Sequence, residues 1–114
     1  MRVSPKIFYD EQLKDRKRRK LRNRLEKDQK VKKVQLILRI DGDQNLLHLM
    51  SPSQKDRLLK RQPSSVVVGI AKDREGAFKV IENIVMQVLN TQGAITGDLI
   101  DKELDIHWNS SIKS

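Results

Sequence analysis

The sequence predicts an α+β fold, a small two-layer sheet-and-helix domain with a basic helix at its N-terminal end. Three observations carry that expectation. The stretch VQLILRI alternates apolar and polar residues, SVVVGIA has the β-branched density of a central strand, and REGAFKVIENIVMQVLNTQ repeats its apolar positions at helical spacing. The connections between these stretches are short, so the main helices are expected on one face of the sheet.

Taken in order, Met1 to Tyr9 is short and mixed, with Pro5 as a breaker and Ile7, Phe8 and Tyr9 apolar enough to pack against something. From Asp10 to about Lys30 there is no Gly or Pro, and good helix formers dominate. Asp10 and Glu11 open this helix and Lys30, Lys32 and Lys33 close it, which suits the macrodipole at both ends. Leu13, Leu21 and Leu25 fall within about 120° of a helical wheel, a thin apolar seam. Val34, Leu36, Leu38 and Ile40 then share one side of a half-buried strand. Asp41 to Asn45 turns, and Leu46 to Met50 can return as a second strand.

Ser51-Pro52-Ser53-Gln54 combines an N-cap, a proline at the first helical position and the glutamine of a capping box. A short helix to about Arg61 follows, ended by Pro63. Ser65 to Ala71 is the central strand. Asp73 caps the clearest helix, Arg74 to Gln92, and Gly93 sits where a C-terminal glycine belongs. Ala77, Val80, Ile81, Ile84, Val85, Val88 and Leu89 give that helix a broad apolar face. Leu99, Ile100, Leu104, Ile106 and Trp108 suggest one more short helix before a polar end.

Charge divides the chain unevenly. Residues 1–33 hold fourteen Lys/Arg against five Asp/Glu, whereas residues 34–114 hold ten of each, so the whole net charge of +9 sits in the first third. That segregation predicts two parts: a basic N-terminal helical arm over 1–33 and a single small α+β domain over 34–114. The absence of cysteine excludes a disulfide framework and a thiolate metal site. No apolar run approaches a membrane span and no secretory apolar stretch opens the chain, so no membrane partner is expected and the expected location is cytoplasmic.

The order LILRI, NLLHLM and VVVGIAKDREGAFKVIENIVMQVLNTQG, over roughly Val34 to Gly93, resembles a family of uncharacterised small proteins of anaerobic Gram-positive bacteria. Members pair a VVGIA-type strand with a helix bearing a Gly-Ala or Glu-Ala step and an IV-x-x-V pattern, closed by a threonine and a glycine. Val67 to Ala71 and Ile84 to Gly93 carry the likeness. It implies a fold unit and a prokaryotic source, and supplies no functional residues.

The densest chemistry lies in KDRKRRKLRNR. Lys14, Arg16, Lys17, Arg18, Arg19, Lys20, Arg22 and Arg24 would surround most of a helix, with only Asp15 opposing them. Like charges at helical spacing repel, and a polyanion relieves that repulsion while releasing its counterions. Arginine can grip phosphate with two parallel hydrogen bonds, and Asn23 could read a base edge. The expected partner is therefore nucleic acid, RNA or DNA, contacted by an accessory protein through this arginine-rich helix. The competing expectation is a protein-interaction subunit that docks the same helix on an acidic protein partner; a bare solvated face is the third. A leucine-zipper basic region fails, because Asp28 stands where the leucine after Leu21 is needed. Only four aromatic residues are present, so base stacking contributes little.

No cofactor and no enzymatic activity are expected. Asp41-Gly42-Asp43-Gln44-Asn45 begins like a calcium loop but continues with Leu46 where glycine is required and Pro52 where the closing glutamate belongs. His48 and His107 lack a helical pairing, and Asp105 with His107 has no nucleophile or third ligand. The strand-to-helix turn Gly69 to Arg74 could offer backbone N–H groups to phosphate, but it lacks a P-loop's glycines. Its expected role is structural, Gly69 permitting close packing and Asp73 capping.

Overall fold

The β-branched run SVVVGIA is buried along its whole length, and the fold is built around it. The structure, a computed structural model, describes residues 2–42, 45–61 and 64–108. Its elements are β1 (Arg2–Tyr9), α1 (Asp15–Glu26), β2 (Gln35–Ile40), β3 (His48–Met50), α2 (Pro52–Arg61), β4 (Ser65–Ala71), α3 (Arg74–Gln92) and α4 (Gly97–Glu103). They make the expected α+β domain, on a four-stranded mixed sheet of order β1-β4-β2-β3. Strand β4 pairs with β1 in parallel and with β2 antiparallel, and β2 pairs antiparallel with β3.

The sequence-predicted elements of the middle and C-terminal regions form where expected, for the expected reasons. The capping box is reciprocal, with Gln54 N–H donating to Ser51 Oγ and Ser51 N–H donating to Gln54 Oε1 at 2.8 Å. Asp73 Oδ1 accepts the Gly76 N–H at 2.8 Å, and Gly93 closes α3 in the left-handed region with φ of 79°. Thr96 caps α4 by accepting the Leu99 N–H. The proline expected to end α2 and the middle of the turn after β2, Asp43 and Gln44, lie outside the described residues.

Strand β4 carries a bulge. Ile37 pairs with Gly69 and Leu38 with Val67, so Val68 has no partner in β2. Gly69 sits where α3 approaches closest: a Cβ there would meet Val80 Cγ1 at 2.8 Å and Ile37 Cδ1 at 2.9 Å. Close packing is indeed what that glycine allows.

Both faces of the sheet are covered, which differs from the two-layer expectation. On one face Ile37, Val66, Val68 and Ala71 pack against Ala77, Val80, Ile84 and Val88 of α3 and Ile100 of α4. On the other, Leu36, Leu38, Val67 and Ile70 pack against Leu21 and Leu25 of α1, flanked by Leu13, Val31 and Val34. Strand β2 is accordingly buried on both sides rather than one, and even its Arg39 is only 4% exposed. The layers run helix, sheet, helix.

Residues 1–33 are therefore not an appendage to a 34–114 domain. Strand β1 pairs with β4 from Arg2↔Val66 to Tyr9↔Ile70, with an irregularity between Val3 and Phe8 that contains Pro5. Proline is tolerated because β1 is an edge strand with one side free of ladder hydrogen bonds. Buried Ser4 donates its hydroxyl to the Leu104 carbonyl at 2.8 Å, tying β1 to the end of α4. Helix α1 begins at Asp15 rather than Asp10 because Asp10 is taken for another purpose. Its N–H donates to Ile70 O, and its buried carboxylate accepts the N–H groups of Gln12 and Lys72 at 3.0 Å each. A carboxylate so placed fastens the β1–α1 connection to the β4–α3 turn.

Candidate functional site

Helix α1 turns its basic residues in three directions. Leu21 and Leu25 point into the core, so the helix cannot be ringed by free charge. Arg18 and Arg22 flank that buried stripe and are committed to the fold. Arg18 Nε donates to Leu13 O at 2.6 Å and Nη2 to Asp10 O at 3.2 Å, and its guanidinium lies 5.1 Å from the Tyr9 ring centre. No side chain caps α1 at Lys14, and Arg18 instead fixes the turn that leads into it. Arg22 pairs with Glu26 at 3.3 Å. Burial pushes the Tyr9 phenol up from its ordinary pKa, with Arg22 and then Arg18 beside it pulling the other way.

The remaining site residues are exposed: Lys14, Arg16, Lys17, Arg19, Lys20, Asn23 and Arg24. Arg16, Arg19 and Asn23 occupy the outermost arc. Lys17, Lys20 and Arg24, one to two turns apart, form one wall of a cleft of about 840 Å³. The loop after α1 supplies Lys30, Lys32 and Lys33 to the same space, and Lys72 lines it as well. Leu13, Leu21, Val31 and Val34 lie beneath. Among the described residues, seven cations and no carboxylate line this space, and none of the seven forms an ion pair with another described residue.

The loop holds an unusual backbone to do this. Lys33 sits at φ of 59° and Asp28 at 56°, in the left-handed region that costs a side-chain-bearing residue about 1 kcal/mol. Arg24 steadies the loop by donating to the Lys30 carbonyl at 3.2 Å. Of the cleft's cations, the sequence singles out Lys17, Lys20 and Arg24. Lys30, Lys32 and Lys33 read as the end of a helix, and only their closeness to the basic run hinted at a shared role. Lys72 gives no local signal at all, because its partners in the cleft lie some forty residues or more upstream.

Other candidate chemistry resolves into structure. The strand-to-helix turn offers no free anion cradle at Lys72 and Gly76, since Asp10 and Asp73 occupy those two N–H groups. Arg39 is held by Asp101 through two hydrogen bonds of 2.8 and 3.0 Å, and Trp108 Nε1 donates to the same carboxylate at 2.9 Å. This buried pair ties β2 to α4. His107 meets Asp105 at 2.8 Å with both side chains exposed. Among the described residues no group of three or more metal-ligating side chains exists, and no helix is long and apolar enough to cross a membrane.

The chain matches no protein-family model, no curated protein and no solved structure.

Proposed function

We propose that this protein is a cytoplasmic nucleic-acid-binding accessory factor that contacts RNA or DNA phosphates through α1 and the basic loop that follows it. The observation that supports this reading is the cleft that, among the described residues, is lined by seven cations and no carboxylate. A folded protein ordinarily mixes both signs on its surface, because clustered like charge destabilises the compact state. Here the cost is compounded by Lys33 in a left-handed conformation that adds one more cation to the cluster. A phosphate chain repays both by neutralising the charges and releasing its counterions.

The test is a salt titration of the full-length protein against fluorescent RNA and DNA. Three to four phosphate contacts give a slope of log affinity against log salt of about −2 to −4. Nucleic acid that co-purifies and is lost in a high-salt wash is the cheap companion observation. Affinity without salt dependence, or none at all, overturns the proposal. Capture of an acidic protein by α1 under those conditions would then assign the cluster to protein docking.

A further inference from the structure

We infer that the cleft beside α1, rather than the helix's outer face, is the binding surface, and that it takes a single strand rather than a duplex. The inference rests on the nucleic-acid reading above and specifies its ligand. Concavity is the first ground. A space of about 840 Å³ falls within the ~300–1,000 Å³ of clefts that enclose small ligands. A duplex is a thick rod, with a major groove alone about 12 Å wide, and it is met by convex elements that enter it. The cations of this cleft come from three segments, α1, the loop after it and Lys72, and a chain as thin as one strand can meet all three within so small a space.

The lining sets what the cleft recognises. Among the described residues none that lines the cleft is aromatic, so nothing there stacks on a base, and the shared demand of the lining is for phosphate. The second ground is continuity. Positive charge continues past the cleft at the start of α1, through exposed Lys14, as suits a chain that enters and leaves. Lys17 to Arg24 spans about 10 Å of helix axis, enough for about three phosphates at the ~3.4 Å per-strand spacing of stacked nucleotides. At about −0.7 per contact on single strands, the salt slope is about −2, with little preference among base sequences.

The experiment compares two charge-matched variants of the full chain. Lys17→Gln with Lys72→Gln removes two cations from the cleft; Arg16→Gln with Arg19→Gln removes two from the outer arc. All four side chains are exposed and form no ion pair with a described residue, and circular dichroism checks that both variants fold. Fluorescence anisotropy is read with a short single-stranded oligonucleotide, its duplex and inorganic triphosphate. The inference expects the single strand to bind tightest, the cleft pair to weaken it about tenfold and the outer pair less than about threefold. Equal weakening by the two pairs, or a duplex that binds as tightly as the strand, overturns the cleft and leaves nucleic-acid binding standing. Triphosphate binding as tightly as the oligonucleotide also overturns it, making the cleft a small-polyphosphate site. If no nucleic acid binds the parent protein, the functional reading falls together with this one.

Discussion

Replacing Leu25 by alanine separates a helix that is core from a helix that is appended to one. Leu25 is 0% exposed, packed over the β2 and β4 face. The substitution removes three carbons, about 2.4 kcal/mol of lost burial at ~0.8 kcal/mol each, and leaves a cavity that raises the cost to about 3–5 kcal/mol. Alanine's better helix propensity returns only a few tenths. For 114 residues the unfolding entropy is about 0.24 kcal/mol/K, so a loss of 3 kcal/mol lowers the melting temperature by about 12 °C. Trp108 makes the assay discriminating, because it is bonded to Asp101 of α4, on the opposite side of the sheet. Urea unfolding followed by Trp108 fluorescence should shift by the full amount, since one cooperative unit loses Leu25's packing everywhere at once. Arg19→Ala, on the exposed arc, is the control and should stay within about 0.5 kcal/mol of the parent. If Leu25→Ala moves the Trp108 transition by less than about 1 kcal/mol, α1 is not part of the core and the account of the second face is wrong.

Gly76→Ala should destabilise by about 2 kcal/mol or more in denaturant melts, although alanine in a helix ordinarily gains about 1 kcal/mol over glycine. The added methyl would run into the Asp10 carboxylate, which two backbone N–H groups hold in place. Arg18→Ala should cost about 1–2 kcal/mol through its lost hydrogen bonds to Leu13 and Asp10, a loss rather than a gain from relieved repulsion. Glu103 is held down to about 2 from an ordinary value of 4.5, first by the Thr91 hydroxyl at 2.6 Å, then by the Gln87 and Gln92 amides. A depressed folded-state value stabilises above the unfolded pKa, so this contribution should be present at neutral pH and fade as pH falls from about 4.5 towards 2. Glu103→Gln should remove that part of the acid sensitivity in thermal melts taken across the same window.

Local periodicity made most of the fold legible. Strands β2 and β4, the α2 capping box, the Asp73 cap and Gly93 all announce themselves within a few residues, because each is settled by neighbours in sequence. Strand β1 did not, since a proline and two cations disguise an edge strand whose register is set by residues sixty positions on. The burial of α1 was hidden for a related reason. Leu21 and Leu25 are enough to seat a helix on a sheet whose second face is already apolar, yet in composition they are outvoted by the charges around them. The basic residues were legible as a cluster and illegible as a surface. Whether an arginine faces water or a carbonyl depends on the turn it packs against, which is why Arg18 and Arg22 looked equivalent to Arg16 and Arg19. Lys72 could be placed only once β4 was seen beside α1.

The pairing of β1 with β4 also has a consequence for the order of events during synthesis. Arg2 waits for Val66, Asp10 for Ile70 and Lys72, and Ser4 for Leu104. Strand β1 thus leaves the ribosome well before the strand it pairs with, and the basic segment behind it emerges before the sheet that will seat Leu21 and Leu25 exists. Contacts so distant along the chain slow folding, because loop closure must precede the gain. Until then the growing chain is a flexible polycation beside a particle made largely of RNA. The interval in which charge alone governs this protein is therefore written into its topology.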